Sequence, residues 1–306
     1  MWDGSKRNYY NSGFTVVKPT PLSIRIYRMM QNVSSTSPGI NDQMALNNVI
    51  FVGLRGQKIS VALLDRHVYL CGMTYFETMH RLLPRADDPC GSVDKMNCSV
   101  LVVHNNWIYT LEAKIYRFRE HLMWLYDGED QYYSSETRNY LTYSNPVPTK
   151  SQLAHMYRRQ LSDLKTALSV GYLLNRTVIL PRFNCGNVVQ CPLNSLIRIR
   201  TFDALFSKRY RESSFLHHPR VPDAVKQSVS DHELISHTTR SLHTYNVNIV
   251  KNDDIIKLFR NSKHKVINLG ILEGIEVTFK NSSAGTTLNE RMRKAFKRAN
   301  YRQRTR

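Results

Sequence analysis

One stretch of the sequence constrains the fold most: the apolar run from Cys98 to Val103, which ends at His104 and Asn106. A continuous apolar run of this length predicts a buried β-strand. Lys114 follows about ten residues after His104, at the start of a predicted helix. An imidazole can bind a divalent cation and an ammonium group can bind phosphate oxygens. The pattern therefore favours a site for a metal-bound diphosphate.

The composition is that of an ordinary globular protein. The chain has 306 residues, of which 42% are hydrophobic and 22% are charged, so it can form one large core or two domains. It contains no uninterrupted apolar window of ~18 residues, and its first seven residues lack the apolar segment of a signal peptide. We therefore expect a soluble piece, or a fragment of a longer protein.

The formal net charge is +19, and residues 290–306 contribute eight Lys or Arg against one acidic residue. Such a charge can attract polyanions such as nucleic acid, anionic lipid or acidic glycans. A solvated terminal helix is the simpler interpretation of this segment. No zinc-finger, RRM or KH signature accompanies the charge, so we do not expect nucleic acid as a partner.

The five cysteines are Cys71, Cys90, Cys98, Cys185 and Cys191. Cys90 and Cys98 bracket one short loop, and Cys185 and Cys191 bracket another. This spacing favours two small disulfide loops in an oxidising lumen, with Cys71 as a buried thiol. Five reduced core cysteines in the cytosol are the alternative.

Helix signals are clearest in the first fifty residues. Thr20 and Pro21 predict the start of a helix over Leu22 to Gln31. Asn41 or Asp42 predicts the cap of a short helix that ends at Asn47. Further helices are predicted over 112–126, 152–174, 201–206, 253–259 and 287–302, and strands over 12–18, 58–64, 67–70, 98–103, 177–181 and 266–269.

The segment 132–149 has no periodicity and is rich in Tyr, Ser, Asn and Pro, which predicts a domain boundary. The predicted organisation is a first region over 1–130, a linker over 131–150, an α/β extension over 151–286 and a basic C-terminal helix or tail over 287–306.

Four features in the first region, in this order and spacing, resemble a known family. They are Asn11-Ser12-Gly13-Phe14-Thr15-Val16-Val17-Lys18-Pro19-Thr20, then Asn41-Asp42-Gln43 with Leu46-Asn47, then Val103-His104 with Asn106-Trp107, and then Lys114. They resemble the C-terminal half of the nucleotide-diphospho-sugar transferase domain, in the grouping around glycosyltransferase family 77. Residues 159–186 resemble the C-terminal extension of some members, and are similar to a helix–strand unit of fucosyltransferase-like folds.

The resemblance implies an α/β fold: a partial GT-A-like mixed sheet with helices, followed by a second, smaller α/β region. It also implies a retaining glycosyltransferase that moves a sugar from a nucleotide diphosphate to a hydroxyl group of a glycan or glycoprotein. Mn²⁺ or another divalent cation is the implied cofactor. The implied location is the Golgi or secretory-pathway lumen, with a membrane anchor only in a longer, type II form.

The resemblance assigns roles to individual residues. His104 is the implied metal ligand, and Asp42 and Gln43 are the implied catalytic pair, which would orient hydroxyl groups and stabilise positive charge at the anomeric carbon. The implied donor-binding residues are Asn11, Gly13, Asn106 and Lys114. Simpler structural roles remain open for several of them: a satisfied strand-end histidine for His104, a helix N-cap for Asp42 and an exposed helix lysine for Lys114.

Enzymes of this kind usually grip the cation with an Asp-x-Asp motif, which should precede Asn11. The sequence has no such motif there, and the acidic segment Asp127 to Asp130 is better interpreted as a solvated helix end. The pair His217-His218 is similarly interpreted as a surface loop. The alternative function is therefore a noncatalytic glycan- or polyanion-binding remnant of a transferase, and we expect no turnover by the 306-residue chain alone.

Overall fold

The protein is described by a computed structural model. It describes residues 10–53, 60–65, 68–72, 75–76, 100–106, 108–145, 153–185, 188–191, 193, 196–232, 252–272, 277 and 283–296. The chain forms two compact units, Met1–Ile108 and Tyr109–Arg306.

The first unit begins with a well-capped helix, α1 (Pro21–Thr36). The Thr20 hydroxyl accepts a hydrogen bond from the Ser23 backbone amide (3.2 Å), and the Ser23 hydroxyl accepts one from the Thr20 amide (2.9 Å). These reciprocal bonds satisfy two amides that a helix start leaves without partners. The predicted start at Thr20-Pro21 is confirmed, and the helix continues past Gln31.

The second helix, α2 (Asp42–Asn48), is capped by Asn41, whose side-chain oxygen accepts a hydrogen bond from the Met44 amide at 2.8 Å. A π-helical turn, Val49–Gly53, follows it. Two short strands, β1 (Tyr69–Cys71) and β2 (Val102–His104), pair in parallel, and Cys71 lies opposite His104. The predicted strand that delivers His104 is therefore present, although it is shorter than the apolar run.

The predicted strand over 12–18 is wrong. The Asn11 side chain accepts a hydrogen bond from the Gly13 amide at 2.8 Å, which produces a tight turn instead. The chain is irregular from there to Thr20. Part of the predicted strand over 58–64 lies outside the described residues, and the described part contains no strand.

The second unit contains a five-stranded sheet in which every pairing is parallel. Its strands are β3 (Tyr140–Ser144), β4 (Thr177–Ile179), β7 (Tyr210–Arg211), β8 (Val229–Asp231) and β9 (Val266–Ile271). Their order across the sheet is β7-β4-β3-β9-β8. An antiparallel pair is formed by β5 (Phe183–Cys185) and β6 (Val188–Cys191). The helices are α3 (Leu111–Glu120), α4 (Leu153–Leu173), α5 (Ile199–Phe206), α6 (Asp223–Lys226), α7 (Asn252–Phe259) and α8 (Ser283–Ala295).

Strand β3 lies at the centre of this sheet, inside the predicted linker over 131–150. Tyr140 pairs with Thr177 on one side and with Val266 on the other. The boundary between the compact units falls at Ile108 instead, and the second region is the larger of the two. In the sequence Tyr-Leu-Thr-Tyr-Ser the polar residues Thr142 and Ser144 interrupt the apolar ones, so the strand lacks a continuous apolar run that would predict it.

Helix α3 was predicted to reach Tyr126 but ends at Glu120. Leu122 has a left-handed backbone (φ +57°), and the Met123 amide donates a hydrogen bond to the Phe118 carbonyl at 2.8 Å. This pattern terminates the helix. Helix α4 and its end at Asn175 (φ +50°) match the prediction closely.

Arg176 binds backbone carbonyls at the N-terminal end of the parallel strands. It is buried, and its Nη1 donates hydrogen bonds to the carbonyls of Tyr140 (3.1 Å), His264 (2.9 Å) and Lys265 (3.2 Å). Its Nη2 donates to the Ser262 carbonyl at 3.2 Å. One guanidinium thus satisfies carbonyls at the starts of two neighbouring strands.

The basic C-terminal helix is not fully solvated. On α8, Leu288 and Met292 are buried, and the Phe296 ring lies 6.2 Å from that of Phe202 on α5. One face of the helix therefore packs in the core, while its basic residues are mainly on the other faces. Residues 297–306 lie outside the described residues.

The predicted disulfides are not confirmed. Cys90 and Cys98 lie outside the described residues. The β5–β6 register pairs Cys185 with Val188 and Cys191 with Phe183. The side chains of these two cysteines lie outside the described part of the chain, so the second disulfide stays a prediction. Cys71 is a half-buried thiol. Across the described part of the chain, no helix has the length and apolar character needed to span a membrane.

Candidate functional site

The site in the first unit is built around a contact between Gly13 and His104. A Cβ atom placed on Gly13 would lie 2.0 Å from His104 Cε1 and 2.3 Å from its Nε2. The imidazole therefore packs directly on the backbone of Gly13, which no side chain at that position would permit. The predicted strand-end histidine and the predicted glycine are brought together, although they are 91 residues apart in sequence.

Asn11 and Asp42 join the same turn through hydrogen bonds. Asn11 is buried, and its side-chain oxygen holds the Gly13 amide at 2.8 Å. The Ser12 hydroxyl donates a hydrogen bond to Asp42 Oδ2 at 2.7 Å. Because Asn41 is the N-cap of α2, the Asp42 side chain is not needed to cap the helix. Its carboxylate is exposed and can contact a ligand.

The Asn47 side chain fixes the turn to helix α2. Its Nδ2 donates hydrogen bonds to the Tyr10 carbonyl (2.8 Å) and to the Gln43 carbonyl (2.7 Å), and its Oδ1 accepts one from the Tyr10 amide (2.7 Å). Gln43 is half-buried beside Asp42 on this helix. Asn47 therefore holds both the helix that carries Asp42 and Gln43 and the residue that precedes the Asn11–Gly13 turn. Asn47 belongs to one of the motifs that carry the family resemblance, but its bridging role was not predicted.

Asn106 has a structural partner. The Asn106 side-chain oxygen accepts a hydrogen bond from the Gly72 backbone amide at 2.7 Å, and the Asn106 backbone amide donates one to the His104 carbonyl at 2.8 Å. This ties the end of β2 to the residue that follows β1. Trp107 lies outside the described residues, and Lys114 is on α3 in the second unit.

The segment Asp127 to Asp130 has a structural role. The Asp127 carboxylate accepts hydrogen bonds from the Tyr133 amide (2.5 Å), the Ser134 amide (3.4 Å) and the Ser134 hydroxyl. Burial alone would raise the pKa of Asp127, but these hydrogen bonds outweigh it and the pKa is lowered. Asp127 therefore organises a turn, while Glu129 and Asp130 are exposed.

The prediction of a surface loop at His217-His218 is wrong for His218. His217 is exposed, but His218 is fully buried and its ring stacks on Tyr133 with centroids 3.6 Å apart. Its Nδ1 accepts a hydrogen bond from the Arg220 amide and its Nε2 lies 3.2 Å from the Trp124 carbonyl, to which it donates. This arrangement requires the neutral imidazole. Burial is the main cause of its lowered pKa.

Within the described ranges, no group of three or more His, Cys, Asp or Glu side chains is arranged to hold a metal ion. His104 is the one nitrogen donor of the predicted site. The residues of this turn therefore fit a divalent cation only as a partial ligand set, which other oxygen ligands must complete.

A second polar cluster, in the second unit, was missed by the sequence interpretation. Glu120 on α3 and Glu212 at the end of β7 lie close enough for the charge of Glu212 to raise the pKa of Glu120; with burial, which is the larger cause, the pKa reaches about 8. The Tyr132 hydroxyl donates a hydrogen bond to Glu212 Oε2 at 2.7 Å. The Tyr116 hydroxyl lies 3.4 Å from Glu120 Oε1. No local motif marks these residues, because they converge only in the folded sheet.

The comparison with known families identifies a resemblance to the nucleotide-sugar transferases in the first part of the chain. Residues 1–118 match the family model of the nucleotide-diphospho-sugar transferases, a range that contains every residue predicted for the donor, metal and catalytic roles. Neither a curated protein nor a solved structure matches the chain. The family resemblance is confirmed, and with it the transferase class; the mixed α/β fold is compatible with a partial GT-A-like domain. Membership of glycosyltransferase family 77 and the C-terminal extension stay predictions.

Proposed function

We propose that the protein is a glycosyltransferase that moves a sugar from a nucleotide diphosphate to a hydroxyl group of a glycan or glycoprotein. The observation that carries the proposal is the packing of His104 on Gly13, within the segment that matches the transferase family. It supports a preorganised pocket, because the ring position depends on the absence of a side chain at residue 13.

The donor sugar would lie beside the Asn11–Gly13 turn. The glycine lets the His104 ring lie against the backbone of this turn, and the Asn11 side chain holds the turn by accepting a hydrogen bond from the Gly13 amide. Asn106 would support the loop after β2. The predicted role of Lys114, which is to bind phosphate oxygens as a point charge, stays a prediction because this residue belongs to the other compact unit.

Asp42 and Gln43 would act on the transfer step. The exposed carboxylate of Asp42 can orient the acceptor hydroxyl and stabilise positive charge that develops at the anomeric carbon. The Ser12 hydroxyl, at 2.7 Å, would hold this carboxylate in place. Retention of anomeric configuration is part of the proposal.

A divalent cation, Mn²⁺ by preference, would neutralise the charge of the departing diphosphate. His104 would supply a nitrogen ligand, and the donor phosphates would supply oxygens. The setting would be the secretory-pathway lumen, where nucleotide sugars meet glycoprotein acceptors.

The direct test is a screen against a panel of nucleotide sugars and glycan acceptors, with Mn²⁺ and with a chelator. It uses the 306-residue chain and any longer form that contains it, because the sequence predicts no turnover by the 306-residue chain alone. Where turnover is found, His104→Ala should lower it at least tenfold, or ~1.4 kcal/mol of transition-state stabilisation. Excess Mn²⁺ should recover part of this loss. The matched control is His217→Ala, which removes an exposed histidine from the second unit. Wild-type turnover by His104→Ala at limiting Mn²⁺ would remove the metal role.

A noncatalytic role is the second candidate, because the described residues around His104 offer an incomplete ligand set and the net charge is +19. In that case the chain would bind acidic glycans such as heparin without turning over any nucleotide sugar. Salt-sensitive binding with no detectable transfer, hydrolysis or donor binding would favour this candidate.

A further inference from the structure

A groove in the first unit reaches Asp42, the residue proposed to act on the acceptor. Its volume is about 660 Å³, which lies within the range of sites for small molecules. Helix α1 supplies most of the lining, between Ser23 and Ser34. Val17 and Pro19, in the irregular segment before the helix, line the opposite side, and Asp42 completes the groove.

The segment before α1 runs back along the helix. Its first turn binds the Asp42 carboxylate through a serine hydroxyl at 2.7 Å. Further along, the Thr15 hydroxyl lies 3.5 Å from the Tyr27 hydroxyl, and the Lys18 carbonyl accepts a hydrogen bond from the Ser23 hydroxyl at 2.7 Å. The order of these contacts places Asp42 and Ser23 at opposite ends of the groove.

The groove is longer than one sugar ring. Ser23 and Ser34 both line it and are eleven residues apart on α1, which corresponds to about 16 Å at a rise of about 1.5 Å per residue. A sugar whose hydroxyl group reaches Asp42 would therefore leave room for a second group attached to the same molecule.

Much of the lining is apolar and accessible. Val17, Ile24 and Tyr27 line the groove and are 44%, 49% and 45% exposed. All of α1 lies in the described part of the chain, and none of its residues is buried, so these side chains are not part of the core. Contact with an apolar group of a ligand would remove this surface from water, which is favourable.

Three lining residues favour an aromatic group over an alkyl chain. The Tyr27 ring offers a surface for stacking, and the Met30 sulfur can contact the edge of a ring. Arg28 is exposed and forms no ion pair or hydrogen bond with the described residues, so its guanidinium is available to the face of an aromatic ring. Helix α1 contains no acidic residue that would compete for this cation.

We propose that this groove binds a small aryl glycoside as the acceptor, with the reacting sugar hydroxyl at Asp42 and the aromatic group against Tyr27 and Arg28. The volume is that of a small-molecule site, whereas a protein acceptor would need an interface of about 800 Å² on each partner. The role of the sugar hydroxyl rests on the proposed function. The binding of the aromatic group depends on the groove alone.

The test measures binding before activity. The nitrophenyl, methyl and octyl glycosides of glucose, galactose and xylose are titrated into the 306-residue chain by calorimetry, with the octyl glycosides kept below the concentration at which they form micelles. For at least one sugar, the nitrophenyl glycoside should bind at least tenfold more tightly than the methyl glycoside, and more tightly than the octyl glycoside. Equal binding of nitrophenyl and methyl glycosides, or no binding of either, for all three sugars overturns the proposal. Tighter binding of the octyl glycosides also overturns it, because the groove would then prefer an alkyl chain.

Variants of α1 locate the aromatic group. Tyr27→Ala and Arg28→Ala should each reduce the preference for the nitrophenyl over the methyl glycoside at least threefold, whereas Tyr27→Phe keeps the ring and should keep the preference. The matched control is Arg25→Ala, which removes another exposed arginine of the same helix that does not line the groove. An unchanged preference in both folded alanine variants overturns the proposal.

Transfer assays separate this inference from the proposed function. Preferential binding of aryl glycosides without transfer, in the 306-residue chain and in any longer form, would remove the proposed function and leave the aryl-glycoside site. Transfer to sugars with no preference for aryl acceptors would support the proposed function and overturn this inference.

Discussion

The imidazole of His104 occupies the space in which a side chain at residue 13 would lie: a Cβ there would be 2.0 Å from Cε1 and 2.6 Å from Nδ1. The distances are far below van der Waals contact. The absence of a side chain at Gly13 therefore determines the position of the His104 ring.

Gly13→Ala should displace His104 and lower donor binding or turnover at least tenfold. The clash should also destabilise the first unit by about 1–3 kcal/mol. Gly39→Ala is the matched control, because Gly39 has φ +87° with nothing within 4 Å of its added Cβ, so it introduces strain of about 1–2 kcal/mol without a clash. Loss of activity in both variants to the same degree would mean that stability alone is measured.

Asn41 and Asp42 should separate stability from activity. Asn41→Ala removes the cap of α2 and should cost about 1 kcal/mol of unfolding free energy. Asp42→Ala removes no cap, so it should cost less than about 0.5 kcal/mol and lower transfer at least tenfold. Chemical denaturation and transfer kinetics on both variants provide the comparison, and unchanged kinetics in Asp42→Ala would end its catalytic assignment.

His218 should make the protein less stable in acid. Its pKa is lowered in the folded state, so the unfolded chain binds a proton more readily below pH 6.5. The stability is present above this pH and is lost as pH falls through the pKa of the folded state, with a slope of at most about 1.4 kcal/mol per pH unit. His218→Gln should reduce the slope measured between pH 5 and 7, whereas His217→Gln should leave it as it is.

Glu120 should make the protein less stable as the pH rises. Its pKa is raised from 4.5 to about 8 in the folded state, so the folded protein holds a proton that the unfolded chain releases. Its contribution to stability is complete below pH 4.5 and decreases as pH rises towards 8. Denaturation between pH 5 and 9 should show this decrease, and Glu120→Gln should flatten it. An identical pH profile in the variant would show that the group titrates normally.

Gly171→Ala tests the packing of α4 on the sheet. A Cβ at Gly171 would lie 2.7 Å from Val178 Cγ2 and 2.9 Å from the Arg176 carbonyl. Alanine favours a helix by about 1 kcal/mol over glycine, but the clash should outweigh this gain and give a net loss of about 1–2 kcal/mol. Ser162→Ala, on an exposed position of the same helix, should change the unfolding free energy by less than about 0.5 kcal/mol.

The sequence predicts most reliably where local chemistry determines the structure. The start of α1 at Thr20-Pro21, the cap at Asn41 and the end of α4 at Asn175 were all expected and are all observed. The position at which α3 ends was predicted wrongly because the helical spacing of apolar residues continues past Glu120. The left-handed backbone of Leu122 directs the chain away from the helix axis there. Such a turn depends on what the following segment packs against.

The candidate sites divide in the same way. The residues of the first site were recognised from short motifs, although the contact between Gly13 and His104 joins residues 91 positions apart and has no local signal. Glu120 and Glu212 have no motif at all, because separate connections of the chain bring the end of α3 and the end of β7 together. Their significance follows from topology, which a single sequence does not reveal.

Arg176 has a consequence for the order in which the chain is assembled. The carbonyls of residues 262–265 that it binds are synthesised 86–89 residues after it. Until they leave the ribosome, β3 is an unpaired edge strand on the side that β9 later covers, and the guanidinium must remain hydrated. At about 5–20 residues per second, a newly made chain therefore carries an unpaired sheet edge for several seconds of synthesis.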